Sequence, residues 1–264
     1  MKSVAATPLP DHIGRFWRSL DQHFGLVEPT WWGAVVTDGR FPAVWDANYA
    51  RVDVAADDLT LPEIEASLLP ALRRFGVSVE HVVVFNPQAC TSLLAELDGR
   101  GHRLTWDLVM ELRDDPPDDG LRRVEELRPG DELWEVAGAS LALFGAGSDE
   151  ALAQLTAVER EVLTPGGKRW FGVRDRGGEI VSLGALVQLG DVAYVDNVVT
   201  FERARGQGFA SAVTTHMARM ARSAGSAHVC LLADPDDRAV VGLYERLGFH
   251  DVGMLAASRG AVAG

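Results

Sequence analysis

The chain has 264 residues, 25 of them basic and 38 acidic, for a formal net charge of −13; that balance offers no basic footprint, and no nucleic-acid partner is expected. Apolar residues make up 47%, enough for a core in one large or two small domains, while two cysteines, Cys90 and Cys230, are too few for a disulfide framework and read as buried thiols. The seven histidines lack paired ligand spacing, no apolar run reaches the length of a membrane span, and the opening MKSVAATPLPDH has no leader-like apolar stretch, so a cytoplasmic protein without metal or membrane partner is expected.

Ile13, Phe16, Trp17 and Leu20 recur at helical spacing and predict a short amphipathic helix over about residues 11–24. Trp31-Trp32 and Gly33 to Thr37 predict a strand turned by Asp38-Gly39, and Ala43 to Val54 has strand-like patches. Thr60 as cap, Pro62 in the first turn and Glu63 three residues after the cap mark a helix from Leu59 to Phe75. Val79 to Phe85 reads as a buried strand, Ala89 to Leu97 as a helix closed by Asp98-Gly99, and His102 to Leu112 as another strand. Residues 113–120, RDDPPDDG, hold two prolines and no apolar side chain. They read as a linker between an N-terminal domain, residues 1–115, and a second domain, residues 120–264.

Beyond the linker, Leu121 to Glu126 predicts a strand, and Asp131 can cap a helix running to about Phe144. Gly145 to Ser148 breaks it before a second helix, Asp149 to Leu163. Arg169 to Arg174 and Glu179 to Gln188 form a hairpin around Gly177-Gly178. An apolar strand, Val192 to Thr200, then runs into a charged loop, Phe201 to Arg205, and into Gly206-Gln207-Gly208. Phe209, Val213, Met217 and Met220 lie on one helical face after it. Strand, glycine loop and helix N-terminus together present backbone N–H groups and a favourable dipole to an anion.

Three phosphate-binding patterns compete for this loop. A P-loop ends in Gly-Lys-Ser/Thr, but Gly167-Lys168 is followed by Arg169. A dinucleotide loop needs a third glycine, and Ser211 holds that place, although Asp234 lies about 20 residues on. The third pattern, Arg-x-x-Gly-x-Ala, is met in full by Arg205-Gly206-Gln207-Gly208-Phe209-Ala210. Downstream come an apolar strand, His228 to Ala233, a cap cluster, Asp234 to Asp237 with Ala239 where a calcium loop needs glycine, and a helix carrying VVGLYERLGF to Phe249.

Arg-x-x-Gly-x-Ala followed by a strand and by Leu243-Tyr244-x-x-x-Gly248-Phe249 resembles the GNAT (GCN5-related) N-acetyltransferase superfamily, in order and spacing, over residues 121–257. The resemblance implies an α/β fold of the α+β mixed-sheet kind and acetyl-coenzyme A as co-substrate. It places the pyrophosphate at Arg205, Gly206, Gln207, Gly208, Phe209, Ala210 and Ser211, and the pantetheine along Val198, Val199 and Thr200. Asp237 stands where the family has asparagine and brings a negative charge to that cofactor contact. Tyr244 matches the tyrosine that protonates the departing sulfur.

An alkyl amine of pKa about 10.4 is mostly ammonium at neutral pH, so direct attack on a thioester needs a base. Asp196 lies two residues before Val198, where many family members carry a glutamate, and a carboxylate half-buried beside Tyr194 and Val198 suits that role; Glu202, where the family often has proline, is the alternative. In the family the acceptor pocket is built by the first two helices and their loop, here Leu141 to Ser148, with Phe144 as its bulky wall. A small-molecule amine is the expected acceptor, and the acidic charge permits a cationic one.

The halves also resemble each other. Residues 43–112 and 180–257 each run strand, helix, strand, helix, strand, with His-Val at His81 and at His228. The first half therefore looks like a degenerate GNAT-like unit. Its segment Val54 to Pro62 has no glycine, carries Asp57 and Asp58, and loses an N–H donor at Pro62; Ala95 or a neighbour falls at the place of Tyr244. One coenzyme A per chain is expected, held by the second half.

Overall fold

The computed structural model describes residues 8–116, 123–145 and 148–262. Parts of three expectations lie outside the described residues: the end of the linker at 117–120, the start of the next strand at 121–122, and positions 146–147 of the acceptor loop. The chain forms two compact units, residues 1–108 with 252–264 and residues 109–251.

The first unit contains α1 (Asp11–Asp21), β1 (Leu26–Pro29), β2 (Gly33–Thr37), β3 (Tyr49–Val52), α2 (Leu61–Arg74), β4 (Val79–Val84) and α3 (Thr91–Gly99). β5 (Arg103–Leu112) carries the chain into the second unit. There follow β6 (Val124–Leu127), α4 (Asp131–Ala142), α5 (Asp149–Val158), β7 (Arg169–Arg174), β8 (Ile180–Leu189), β9 (Val192–Thr200), α6 (Phe209–Ser223), β10 (His228–Ala233) and α7 (Arg238–Arg246). β11 (Phe249–Ala261) begins in the second unit and ends in the first.

Most expected elements form, with local differences that have local causes. Residues 43–54 form a 3₁₀ turn, Trp45–Ala47, before β3. The buried Asn48 side chain shapes that loop, donating to the carbonyls of Phe41 and Val44 at 2.9 Å each and accepting from Asp38 N at 3.0 Å. β1, a four-residue strand paired antiparallel with β2, had no clear sequence signal. The helix expected over 149–163 is α-helical only to Val158; Glu159–Leu163 widens into a π turn, in which Thr164 N donates to Glu159 O.

Both units repeat the same kernel: an antiparallel pair, a parallel neighbour after a crossover helix, and a further helix. In the first unit β2 pairs antiparallel with β3, and β3 parallel with β4 across α2. In the second, β8 pairs antiparallel with β9, and β9 parallel with β10 across α6. The next strand is exchanged between the halves: β4 pairs with β11, from Val84 opposite Ala256 to Val79 opposite Ala261, while β5 neighbours β10. In the first unit Ile64, Leu68 and Leu72 of α2, with Leu93 and Leu97 of α3, pack on Val35, Val52, Val82 and Val84. In the second, Leu133 and Ala137 of α4 meet Trp170, Leu183, Ala185 and Val199 on one sheet face. α6 covers the opposite face so closely that a Cβ on Gly184 would lie 2.7 Å from Met217 Cε.

Candidate active site

The site grows from two features of β9. Its parallel pairing with β10 covers only Val192 to Tyr194 against His228 to Cys230. Past Tyr194, no β10 partner faces β9 among the described residues. Val195 to Thr200 thus have one sheet edge open, while β8 holds the other. The stretch expected to meet pantetheine, Val198 to Thr200, lies in this opened part. Two of its carbonyls already accept side-chain bonds: Val199 O from Ser182 Oγ at 2.8 Å, and Thr200 O from Arg205 Nε at 3.2 Å.

The second feature is a bulge. Leu183 stands opposite Val199 and Ala185 opposite Asp196, so Asn197 and Val198 share the place opposite Gly184. Asn197 takes up the extra residue at φ +50°, a left-handed conformation that asparagine tolerates better than most side chains. The bulge corrects one expectation. Strict alternation puts Asp196 on the face of Tyr194 and Val198, but the extra residue moves Val198 to the α6 face and leaves Asp196 with Tyr194 and Val199.

There Asp196 meets two charged groups that the sequence reading did not single out. Its Oδ2 accepts from Lys168 Nζ at 2.7 Å, and Lys168 donates equally closely to Glu159 Oε1 at 2.7 Å. Asp196 Oδ1 accepts from Asn197 N at 2.8 Å, and Asn197 Nδ2 donates to Glu159 Oε1 at 3.2 Å. The Lys168 side chain is 0% exposed, that of Glu159 4% and that of Asp196 26%. Burial pulls the Lys168 ammonium pKa down, but Asp196 and Glu159 outweigh it and the net shift is upward. Burial pushes the Glu159 carboxyl up against the pull of Lys168. A signal for both was present: Lys168 comes just before β7, whose Trp170 and Phe171 are buried, and Glu159 sits between apolar Val158 and Val162. Charges inside an apolar pattern need partners.

Tyr244 projects from α7, is 7% exposed, and has its ring 6.1 Å from that of Phe249. Burial pushes its hydroxyl up to about 12, with Asp196 and Asp237 adding to the shift. The structure thus brings Tyr244, Asp196 and Asp237 within electrostatic reach. Asp237 also caps α7, its Oδ1 accepting from Ala239 N at 3.1 Å and Val240 N at 3.0 Å. Glu202 is exposed, on the short turn Glu202–Ala204 that Ala204 anchors in the core. Phe144 follows α4 with 58% of its surface exposed, next to Gly145.

The glycine loop leads from β9 into α6. Gly206 and Gly208 have φ of +73° and +79°, and a Cβ on either would meet nothing within 4 Å. Their need for glycine is conformational, since left-handed backbone disfavours other residues. Gly208 is the N-cap, no side chain caps the helix, and its first turn has no acidic residue. Arg205, Gln207 and Gly208 are exposed, Ala210 and Ser211 half-buried, and Phe209 anchors the turn in the core. These features fit an anionic ligand: an open loop, uncapped helix amides and an adjacent strand edge.

A sheet opened at one parallel pair, with a bulged strand leading through glycines to a helix N-terminus, defines the GNAT acyltransferase fold. Residues 135–249 match the family model described as acetyltransferase (GNAT) family, and this segment, within the second unit, is a GNAT-family domain. No curated protein matches the chain by sequence. Among solved structures, a functionally unknown conserved protein from Staphylococcus epidermidis aligns with TM-score 0.70 at 11% identity, covering 86% of this chain and 89% of its own. A GCN5-related N-acetyltransferase from Kribbella flavida aligns with TM-score 0.65 at 17% identity, covering 100% of this chain and 98% of its own. A tandem GNAT protein from the clavulanic acid biosynthesis pathway aligns with TM-score 0.52 at 13% identity, over 81% of this chain and 75% of its own. At these identities the likeness is one of fold. No helix among the described residues is long and apolar enough to cross a membrane.

Proposed function

We propose that the unit of residues 109–251 is an N-acetyltransferase that moves an acetyl group from acetyl-coenzyme A to the amine of a small molecule by direct attack. The observation that carries this reading is that β9, unpaired with β10 past Tyr194 among the described residues, leads through the left-handed Gly206 and Gly208 to the N-terminus of α6. Gly206 to Ser211 would receive the pyrophosphate through backbone amides, with Arg205 adding positive charge. Val198 to Thr200 would lie along the pantetheine arm in the manner of an added strand. Asp237 would lie at the edge of this cofactor site with one carboxylate oxygen committed to α7.

Asp196 is the base of this reading in preference to Glu202, because it lies in the same electrostatic group as Tyr244. It takes a proton from the acceptor ammonium, which frees the nitrogen lone pair to attack the thioester carbon. The C–N bond forms, the C–S bond breaks, and Tyr244 gives its hydroxyl proton to the leaving sulfur; the second proton lost by the acylated nitrogen passes through solvent to restore the Tyr244 hydroxyl, and Asp196 releases its proton to solvent. A hydroxyl held near 12 keeps that proton at neutral pH. Phe144 would wall the acceptor pocket, with a small-molecule amine as partner. Thiol release from acetyl-coenzyme A with a panel of small amines tests this reading. Amine-dependent release is expected; coenzyme A binding without release for any amine would make the unit a binding module.

A further inference from the structure

The bonds around Asp196 close a ring. Glu159 Oε1 holds Lys168 Nζ, Lys168 holds Asp196 Oδ2, Asp196 Oδ1 holds the backbone N–H of Asn197, and the Asn197 side chain returns to Glu159 Oε1. The members come from three places: the π turn after α5, the residue before β7, and the bulge of β9. We propose that this ring makes Lys168 a positioning residue, with Glu159 as its anchor, that fixes both the β9 bulge and the direction of the Asp196 carboxylate. The inference rests on the acetyl-transfer reading only in making Asp196 the base.

Three observations carry it. First, both Asp196 oxygens are engaged from within the ring, so the carboxylate has one orientation, and only its 26% exposed surface faces outward. Second, Lys168 is fully buried and donates to two carboxylates, so its removal would leave two negative groups facing each other without a cation. Third, the Glu159 Oε2 atom is buried without a hydrogen-bond partner. A structural ion pair does not need such an atom, and leaving one is costly. The other oxygen, Oε1, serves two donors, Lys168 and Asn197, one holding the carboxylate and one the bulge. Asp196 bonds directly to Lys168 and Asn197, and its charge acts on Glu159 and on Tyr244 of α7.

The test compares Lys168→Met, Glu159→Gln and Asp196→Asn in the full chain. Amide hydrogen exchange at Asn197 reads the ring without any acceptor: in Lys168→Met it should quicken about tenfold or more, as local opening becomes easier. In thiol-release assays with acetyl-coenzyme A and spermidine, benzylamine or lysine, Lys168→Met should lower kcat about 10–100-fold. The KM for acetyl-coenzyme A should stay within about twofold. Glu159→Gln keeps an acceptor oxygen for both donors and should lose less. Lys168→Met should add nothing in the Asp196→Asn background, because both act through one carboxylate.

Unchanged Asn197 exchange, or losses that multiply in the double variant, would overturn the proposal. Should Lys168→Met fail to fold, Lys168→Met with Glu159→Gln removes the facing charge and gives the same readings. Faster Asn197 exchange with no release from any of the three amines would leave the ring standing and count against acetyl transfer. Wild-type turnover in Asp196→Asn alone would overturn both the base and the positioning role.

Discussion

The N-termini of α2 and α6 stand at the same point of the same strand–helix–strand kernel, and they are finished in opposite ways. α2 begins with Thr60, whose backbone N–H is accepted by Glu63 at 3.0 Å, and Glu96 from α3 accepts from Leu61 N at 2.7 Å. Pro62 removes a further donor. Asp57, just before, is spent on α3, taking bonds from Thr91 Oγ1 at 3.0 Å and Ser92 N at 3.2 Å. α6 begins with Gly208, without a side-chain cap or an acidic residue in its first turn. Two carboxylates from the chain itself occupy the positive end of one helix dipole, while the N-cap of the other, Gly208, brings no side chain and no acidic residue follows in the first turn. The lesson is that a repeated fold keeps its packing pattern more readily than its ligand site. Apolar spacing is satisfied in both units, but the left-handed glycines that lead into the crossover helix and the α7 tyrosine occur in one.

Tyr244→Phe should produce the largest effect, about a hundredfold loss in kcat with coenzyme A affinity within about twofold. Stopped-flow thiol release and calorimetry read the two quantities separately. Because the hydroxyl is held near 12, its acid form persists as pH rises, and the wild-type rate should show no descending limb from this group below about pH 10. An equal rate in Tyr244→Phe would remove the sharpest chemical difference between α7 and α3.

The units should also differ in their response to pH. Burial pushes the Glu80 carboxyl up to about 7, with Glu65 adding and Arg100 opposing. A raised carboxyl pKa means the folded state holds its proton longer than the unfolded chain. The stability it contributes is present below about 4.5 and is lost as pH rises through about 7. Glu80→Gln should flatten that loss, seen as a melting point a few degrees less sensitive to pH across this window. The same dependence in Glu80→Gln and wild type would contradict the assignment.

Smaller effects belong to the caps. Asp237→Ala should cost about 1 kcal/mol by chemical denaturation, since two α7 amides lose their acceptor. A large accompanying loss of coenzyme A affinity would instead make Asp237 chiefly a cofactor ligand. Glu96→Ala should cost about 1 kcal/mol or less through Leu61 N, and should bring no affinity for pyrophosphate, because Glu63 and Pro62 remain. Pyrophosphate binding gained by that variant would show that Glu96 alone closes the α2 site.

How much of this was legible in the sequence follows from the range of the interactions. Arg205 to Ala210 and Tyr244 were readable because their backbone requirements are local: left-handed glycines before a helix, and a tyrosine within one helical turn of its Leu and Gly-Phe neighbours. The helix around Val213 was readable from its apolar period, and the one around Ile64 from its cap, Thr60 with Pro62 and Glu63. The ring of Glu159, Lys168, Asp196 and Asn197 was not, because a single extra residue in β9 resets which side chains share a face. The partner exchange of β11 and β5 was hidden for a different reason. Each strand's apolar pattern suits either neighbour, and the choice rests on contacts far apart in the chain, such as Ala256 opposite Val84.

The central claim is that the two units share a kernel while one alone binds the cofactor, and isothermal titration of the full chain with coenzyme A tests it most directly. The account predicts one site per chain, abolished when Gly206→Trp and Gly208→Trp are combined, since both positions require left-handed backbone beside the α6 amides. A fitted stoichiometry of two, or one site that survives the double substitution, would contradict it.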